Sequence, residues 1–319
     1  MYAPGMTLPA GYRLRAPAPG DLDAVADVLI ATELDEAGQV VLGADFVRDE
    51  WSRVGFDLAT NAWVVVDGEG TVAGYAQAMR EEPAVVDCWG VVHPRRRGRG
   101  IGSSLVDLTD ERASRLLAGL PSGRFRHAIS AGDDAAAALL KARGLRPVRH
   151  FWHMQIDLTG PLEPGPAPEG VEVTGIDSGD LPAIHGVIDE AFADHFGHHA
   201  EPFERWMAEQ EASPSHDPAL WLLARAEGRP VGTLTGHVGG DHGWVDYLGV
   251  LTACRGRGAG MALLRRSFAT FADRGVRRVI LNVDAENSTG ATALYERAGM
   301  RVINRWDLWE RLLGNPRGG

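Results

Sequence analysis

A chain of 319 residues with 45% hydrophobic and 24% charged residues has the composition of an ordinary globular protein of about two domains. Its formal net charge of −11 excludes a general nucleic-acid binder, because that affinity comes largely from surplus cationic side chains. No apolar stretch approaches the length of a membrane span and the start of the chain has no apolar leader, so we expect a cytoplasmic protein without a membrane partner.

Both halves of the chain show the same order of predicted elements, and the first half runs from residue 22 to residue 157. The Pro/Gly-rich segment 159–170 follows, which can hold neither a helix nor a central strand. Apolar periodicity and turn residues then predict the elements of the second half: a helix over 180–196, a polar segment around 203–207, strands at 220–226, 230–238 and 244–250, a helix over 259–274, a strand at 278–284, a helix over 290–297 and a strand at 301–308 that completes the unit. The turns between the first strands are too short for parallel crossovers, so each sheet is predicted to be mostly antiparallel. We therefore expect an α/β (α+β) protein with domains at 1–158 and 171–319.

One segment occurs twice in the chain. Val92–Gly102 recurs as Val250–Gly260, at an offset of 250 − 92 = 158 residues. Other pairs keep the same offset: Trp63 with Trp221, Gly74 with Gly232, and Leu105 with Leu263. A constant register over this length indicates a duplicated domain.

The repeated segment is a strand end followed by alternating arginine and glycine and then a helix. Such a turn directs backbone N–H groups and the helix dipole at one spot, which favours an anion such as a pyrophosphate. The dinucleotide fingerprint is absent, because Ser103 and Met261 stand where its third glycine is required. A Walker-type loop is excluded as well, because the lone lysine, Lys141, lies outside any such motif.

The repeated turn resembles the acetyl-CoA-binding signature of the GNAT superfamily of N-acetyltransferases. Arg97, Gly100 and Gly102 match it behind Val92 and Pro94, and Arg255, Gly258 and Gly260 match it again, although Thr252 replaces the proline. The resemblance covers nearly the whole chain and implies two tandem GNAT domains, each a mixed sheet flanked by helices. It also implies that the strand carrying Gly249 and Val250 splays from its neighbour to admit the pantetheine arm of acetyl-CoA.

The resemblance implies two sets of cofactor-binding residues, one for each half. In the second half they are Leu248, Gly249, Val250, Arg255, Gly256, Arg257, Gly258, Ala259, Gly260 and Asn287. In the first half they are Val91, Val92, Arg97, Gly98, Arg99, Gly100, Ile101 and Gly102.

The family often protonates the leaving thiolate with a tyrosine on the helix after the fifth strand. The second half carries the complete motif: Asn287, Gly290, Leu294, Tyr295, Glu296 and Gly299. Aligning Gly144 with Gly299 places Leu140 at the tyrosine position of the first half, where no proton can be donated. The resemblance to tandem enzymes of the mycothiol synthase type therefore implies a catalytic C-terminal domain, with Tyr295 as general acid.

An alkyl amine is protonated at neutral pH, so a base must remove its proton before it attacks the thioester. The resemblance implies a carboxylate base on the fourth strand, facing the cleft. Alternation along the strand puts Asp246 on one face with Trp244 and Leu248, and Asp246 is the only carboxylate there, which makes it the candidate base. Family members often carry the base two residues earlier, where this chain has Trp244. His237 and His242 are the alternative bases.

Several other side chains are candidates for smaller roles. The histidines of segment 194–199 lack a metal-ligand spacing, so no metal is expected, and His195, Glu201 and Glu204 are predicted to help select the acceptor. Cys88 and Cys254 are too few for a disulfide framework, and Cys88 is interpreted as a small buried hydrophobe. Trp63 and Trp221 are predicted core residues.

Together these features predict an N-acetyltransferase that moves the acetyl group of acetyl-CoA to an amine by direct attack. A catalytically silent CoA-binding or interaction module is the alternative. The acceptor stays open among a thiol-sugar amine, an aminoglycoside-like antibiotic, an amino acid and a protein N-terminus, with a small molecule favoured. A monomer is expected, with a homodimer as the alternative.

Overall fold

A computed structural model describes residues 8–160, 162–287 and 289–314. The first seven residues, which are part of the stretch where no apolar leader is expected, lie outside these ranges, as does Pro161 of the proline-rich segment. The chain forms two compact units: one comprises the residues up to Phe151 together with those from Asn304 onward, and the other comprises Trp152–Ile303. None of the described helices is long and apolar enough to cross a bilayer.

The first unit is a six-stranded sheet covered by helices on both faces. Its strands are β1 (Arg13–Arg15), β2 (Ala62–Val66), β3 (Val72–Glu82), β4 (Val85–Val92), β5 (Ser122–Ser130) and, from the end of the chain, most of β12 (Arg301–Gly314), in that spatial order. Its helices are α1 (Leu22–Ala37), α2 (Ala44–Ser52), α3 (Leu58–Asn61), α4 (Ile101–Leu116) and α5 (Asp134–Ala142). Only β4 and β5 are parallel among the pairs within this sheet, because α4 forms the crossover between them.

The second unit repeats this arrangement. Its strands are most of β6 (Arg146–Asp157), then β7 (Val171–Gly175), β8 (Leu222–Ala226), β9 (Arg229–Gly239), β10 (His242–Val250) and β11 (Arg278–Asp284). Its helices are α6 (Leu181–Phe192), α7 (Phe203–Ala212), α8 (Ala259–Asp273) and α9 (Ala291–Arg297). The spatial order is β7-β8-β9-β10-β11-β6, and β10 runs parallel to β11.

The predicted elements are present, and their bounds agree within about four residues, except that the last strand extends to Gly314 rather than ending at Leu308. The polar segment around 203–207 is part of α7, and the predicted strand at 278–284 has the observed bounds of β11. Trp63 and Trp221 are buried core residues, as predicted. Cys88 is also buried, and burial raises the pKa of its thiol well above the usual value, which confirms its interpretation as a hydrophobe.

The prediction that the last strand completes the second unit is wrong. β12 pairs antiparallel with β5, from Trp306 opposite Ser130 to Gly314 opposite Ser122, and so it closes the sheet of the first unit. The last strand of the first half, β6, contributes Met154 to the core of the second unit. The two compact units therefore exchange their final strands rather than separating at 159–170. The sequence repeat could not reveal this, because both copies present the same kind of sheet edge.

Candidate active site

The glycine turn before α8 has the backbone conformation that an anion cradle requires. Gly256 and Gly258 have φ of +76° and +86°, and the corresponding Gly98 and Gly100 have +73° and +86°. These values lie in the left-handed region that side chains disfavour. The first intrahelical bond of α8 runs from Ala262 N to Gly258 O, so the preceding N–H groups at the helix start remain available to a ligand.

The third glycine of each turn serves helix packing. A Cβ atom on Gly260 would lie 3.2 Å from Leu294 of α9, and one on Gly102 would lie 3.6 Å from Leu139 of α5. Glycine at this position therefore allows the helix that follows β11 or β5 to approach the helix after the turn. Through this contact Gly260 positions the helix that carries Tyr295.

The arginine at the start of each turn is held by protein groups. Arg255 donates from Nε to the carbonyl of Val250 and from Nη2 to the carbonyl of Ala191, each at 3.0 Å, and so ties the end of β10 to α6. Arg97 of the first unit instead forms ion pairs with Asp35, at 3.0 Å, and with Glu36. Cofactor contact by these two arginines stays a prediction. Arg257 remains as an exposed guanidinium at the turn of the second unit.

The parallel strands on either side of the predicted acyl-binding cleft separate as the resemblance implies. β10 and β11 pair from Gly243 opposite Val279 to Val245 opposite Leu281, and in the described residues the pairing ends there. The second half of β10 therefore lies beyond its pairing with β11. In the first unit, β4 and β5 separate after Trp89.

A β-bulge at Asp246 changes which side chains face the cleft. Val245 pairs with Gly236 and Tyr247 pairs with Thr235, so Asp246 has no partner in the ladder. An extra residue shifts the alternation, and Leu248, opposite Leu234, lies on the face of α8, whereas Tyr247 contacts Phe192 of α6. The prediction that Asp246 shares its face with Leu248 is therefore wrong.

Asp246 lies beside His237 on the α6 face of the sheet. His237 Nδ1 is 3.0 Å from Oδ1 of Asp246, and the two side chains are 24% and 35% exposed. The imidazole also stacks on Trp244, with the ring planes 16° apart. The bulge is thus what brings the carboxylate to a histidine, and the sequence alone offered these two residues only as alternatives.

His242, the other alternative base, has one ring nitrogen beside a carboxylate and the other buried. Its Nδ1 lies 3.2 Å from Oδ1 of Asp241, and its Nε2 is buried without a hydrogen-bond partner among the described residues. Burial is the main reason that the pKa of His242 lies below its usual value. The geometry therefore favours Asp246 over His242 as a base that an acceptor can reach.

Tyr295 is buried on α9, and burial raises the pKa of its hydroxyl to about 12. The end of this helix matches the end of α5 bond for bond. Met300 N donates to Tyr295 O at 3.0 Å, and Leu145 N donates to Leu140 O at 3.1 Å. Leu140 therefore occupies the position of Tyr295 in the first unit. Tyr295 and Asp246 make no hydrogen bond to each other in the ranges that the structure describes.

Asn287 shapes the turn before α9. Its Oδ1 accepts from Thr289 N at 2.7 Å and also from the Thr289 hydroxyl. Such side-chain acceptance by asparagine fixes a local turn. Contact between Asn287 and the cofactor stays a prediction.

The predicted acceptor-selecting side chains follow α6: His195 and Glu201 lie between α6 and α7, and Glu204 lies in the first turn of α7. His195 packs against Phe192 at 4.5 Å between ring centroids, and burial, followed by Arg255, lowers the pKa of its imidazole. His198 Nε2 lies 3.5 Å from Asp189. Glu201 pairs with Arg205 within one helical turn, at 3.4 Å. Within the described ranges, no group of three or more His, Cys, Asp or Glu side chains could hold a metal.

The site fits a CoA thioester. Main-chain N–H groups at the start of α8 suit the pyrophosphate, and a Cβ atom on Gly256 would meet no atom within 4 Å, so the turn is open to approach. β10 and β11 are no longer paired beyond Val245 and Leu281, and an extended amide chain can lie along a strand at such a gap. Two such turns within one fold define a tandem acyl-CoA-dependent transferase.

Comparison with known proteins identifies relatives of this chain among the acetyltransferases. The profile of the acetyltransferase (GNAT) family matches residues 32–144 and 184–300. Mycothiol acetyltransferase from Cellulomonas flavigena is 35% identical in an alignment of 256 positions, which covers 75% of this chain and 71% of that protein. Mycothiol acetyltransferase from Nocardioides sp. is 32% identical over 87% of this chain and 92% of that protein. A GCN5-related N-acetyltransferase from Sphaerobacter thermophilus, solved by crystallography, is 36% identical, with a TM-score of 0.84 over 97% and 98% of the two chains.

The chain belongs to the acetyltransferase (GNAT) family, in its tandem form. It is an acetyl-CoA-dependent N-acetyltransferase. The alternative of a catalytically silent module is thereby set aside for the chain as a whole.

Proposed function

We propose that the second unit carries out acetyl transfer and that the first unit is non-catalytic. The observation that carries this proposal is the equivalence of Tyr295 and Leu140 at matching helix ends. A hydroxyl can protonate a leaving thiolate, and a leucine side chain cannot. The bulge at Asp246 supports the same assignment, because it places a carboxylate at the point where β10 and β11 separate.

Each of the two proton transfers has a candidate residue. Asp246 takes the proton of the acceptor ammonium, directly or through a water, so that the free amine can attack the acetyl carbonyl. His237 contacts both carboxylate oxygens of Asp246, at 3.0 and 3.1 Å, and holds this side chain in place. Tyr295, which stays protonated because burial raises its pKa to about 12, donates to the departing sulfur.

We propose that the acceptor is the unacetylated, free-amine form of mycothiol. Support comes from the relatives named mycothiol acetyltransferase, which resemble this chain over most of its length. A cytoplasmic location and a monomeric chain belong to the same proposal. The unpaired Cys88 and Cys254 support the first, because reduced thiols persist in that compartment. The tandem repeat supports the second, because one chain already holds two such domains.

Free-amine mycothiol is expected to be acetylated with a kcat/KM at least about a hundredfold above that for an aminoglycoside or a free amino acid. A site built to hydrogen-bond one polar acceptor discriminates against others whose groups leave its own unpaired. Mass spectrometry of the acetylated product is the suitable measurement, because the acceptor has a thiol that would react with reagents for released CoA. Mycothiol already acetylated on its amine is the control. A preference for the aminoglycoside would refute the acceptor while leaving the enzyme class intact.

Asp246→Asn is expected to lower kcat/KM at pH 7 and to regain activity as the pH rises. Without a base only free amine reacts, and its fraction grows about tenfold for each pH unit below an amine pKa near 10. The measurement is kcat/KM from pH 6.5 to pH 9.5, with a thermal melt to confirm folding. His237→Gln is the matched variant and should show a smaller loss with the wild-type pH dependence. An unchanged profile in Asp246→Asn would assign the base to another group.

A further inference from the structure

The first unit carries a polar cluster on the sheet face that packs against α1 and α2. Tyr75 and Gln77 of β3 point to this face, as do Asp87 and Trp89 of β4, because side chains alternate along paired strands. The neighbouring Cys88 points to the opposite face, into the core beneath α4. The cluster therefore occupies the same face of the first unit that holds Asp246 in the second.

Most polar groups of the cluster satisfy one another. Trp51 Nε1 donates to the Tyr75 hydroxyl at 2.8 Å, and that hydroxyl donates to Gln77 Oε1 at 2.7 Å. Gln77 Nε2 and Trp89 Nε1 both donate to Glu50 Oε2, the latter at 3.3 Å. These hydrogen bonds thus form a continuous chain that ends on the carboxylate of Glu50.

Asp87 is the exception. Its Oδ1 is shielded from solvent and has no hydrogen-bond partner among the described residues. Two guanidinium groups lie nearby: Arg53 binds Glu81 at 2.6 Å and Arg126 binds Glu310 at 3.0 Å. A buried carboxylate oxygen without a partner is unfavourable, so Asp87 is a candidate counter-ion for a cationic group.

The cluster is specific to the first unit. In the sheet ladders, Gln77 and Asp87 occupy the positions of Thr235 and Trp244 in the second unit. Neither counterpart carries a charge. A carboxylate at this ladder position is therefore found in the first unit alone, whereas the carboxylate on this face of the second unit, Asp246, lies on the bulge.

We propose that the first unit binds a primary ammonium group on this face, with Asp87 as its counter-ion and the ring of Trp89, two residues along β4 on the same face, beside it. Aromatic rings attract organic cations, and Tyr75 packs against the Trp89 ring at 5.1 Å between centroids. A metal ion does not fit, because the described residues hold no metal-binding group of three or more ligands. This binding site is independent of which residues catalyse transfer in the second unit.

Binding of an ammonium group to this site depends on pH. Burial is the main cause that raises the pKa of Asp87 to about 7; Glu81 and Glu82 raise it further, whereas Arg126 and Arg53 oppose the shift. Burial also raises the pKa of Glu50, which faces the cluster from α2. An ammonium ion prefers the ionised carboxylate, so its affinity increases about tenfold between pH 6 and pH 8.5.

The test is calorimetric titration of the full chain with n-butylammonium chloride at pH 8.5 and pH 6, with n-butanol as the uncharged probe. Asp87→Asn is expected to weaken one binding event at least about tenfold and to remove its pH dependence. Cys88→Ala, one residue along β4 on the opposite face, is the matched control and should bind as the wild type does. The Asp246→Asn variant should also bind n-butylammonium at the Asp87 site. This result would distinguish that site from any binding in the second unit.

Three results would overturn the proposal: equal affinity in Asp87→Asn, equal binding of n-butanol, or no binding of n-butylammonium up to about 50 mM. A circular-dichroism melt of each variant checks that it is folded. Trp89→Leu provides a second variant, which keeps the carboxylate and removes one ring. It should weaken binding about fivefold, and wild-type affinity in this variant would also contradict the site.

Discussion

Tyr295→Phe is expected to lower kcat by about 10²- to 10⁴-fold while the affinity for acetyl-CoA stays unchanged. The change removes one hydroxyl from a buried helix position and leaves the packing of the ring in place. General acid catalysis typically contributes a factor of this size, and the hydroxyl acts after the cofactor has bound. Steady-state kinetics with the acceptor, together with calorimetric titration of acetyl-CoA, separate the two effects.

The control for Tyr295→Phe lies at the matching helix position of the first unit. Leu140→Met preserves volume there and should leave kcat within about twofold. Because burial raises the pKa of Tyr295 to about 12, wild-type kcat should not fall between pH 7 and pH 10 through loss of this proton. Full activity in Tyr295→Phe would remove the main reason for assigning catalysis to the second unit.

Gly258→Ala is expected to lower kcat/KM at least about a hundredfold. A residue with a Cβ atom at φ +86° is strained by roughly 1–2 kcal/mol, and the new atom would lie 2.8 Å from Cγ of Pro168. The turn must shift to relieve the contact, which moves the N–H groups at the start of α8 away from the pyrophosphate. A misplacement of about 1 Å can cost this much in rate.

Two further variants show whether Gly258→Ala loses activity through the cofactor-binding turn or through its contact with Pro168. Gly100→Ala has the same φ in the first unit, where the added atom would lie 3.4 Å from Pro9, and turnover should stay within about twofold. Pro168→Ala combined with Gly258→Ala removes the atom that the new Cβ would strike. Recovery of full activity in the double variant would show that the glycine is needed for packing against Pro168 and not for the cofactor. A Gly100→Ala variant with the larger loss would reverse the assignment of the two units.

Local patterns were sufficient to predict most of the fold. The apolar periodicity of α8 and the apolar run at 278–284 predict the bounds of α8 and β11 to within about one residue. Both patterns arise from local burial of apolar side chains. The positive φ values at Gly256 and Gly258 follow in the same way from the glycine spacing, since only glycine adopts them readily. The exchange of β6 and β12 could not be predicted, because both strands suit either sheet edge.

The active-site geometry was harder to derive because it depends on one extra residue in a ladder. The constant repeat offset aligns Cys88 with Asp246, whereas the ladders align Cys88 with Val245. The bulge at Asp246 adds one residue to β10, which accounts for the difference. A second bulge, near Glu81 in β3, adds one residue to the first half, so the sequence offset of the repeat is the same on either side of the two bulges. Nothing in the composition of β3 or β10 marks the positions of the bulges. The contact between Asp246 and His237 could therefore be found only from the structure.

The return of β12 to the first unit has a consequence for synthesis of the protein on the ribosome. The strand that completes the first sheet is made last, after the whole of Trp152–Ile303. At 5–20 residues per second, the edge of β5 waits roughly ten to thirty seconds for its partner. Throughout that interval an unpaired β-edge is exposed on a nascent chain, which makes this edge the place where chaperone binding or mispairing would begin.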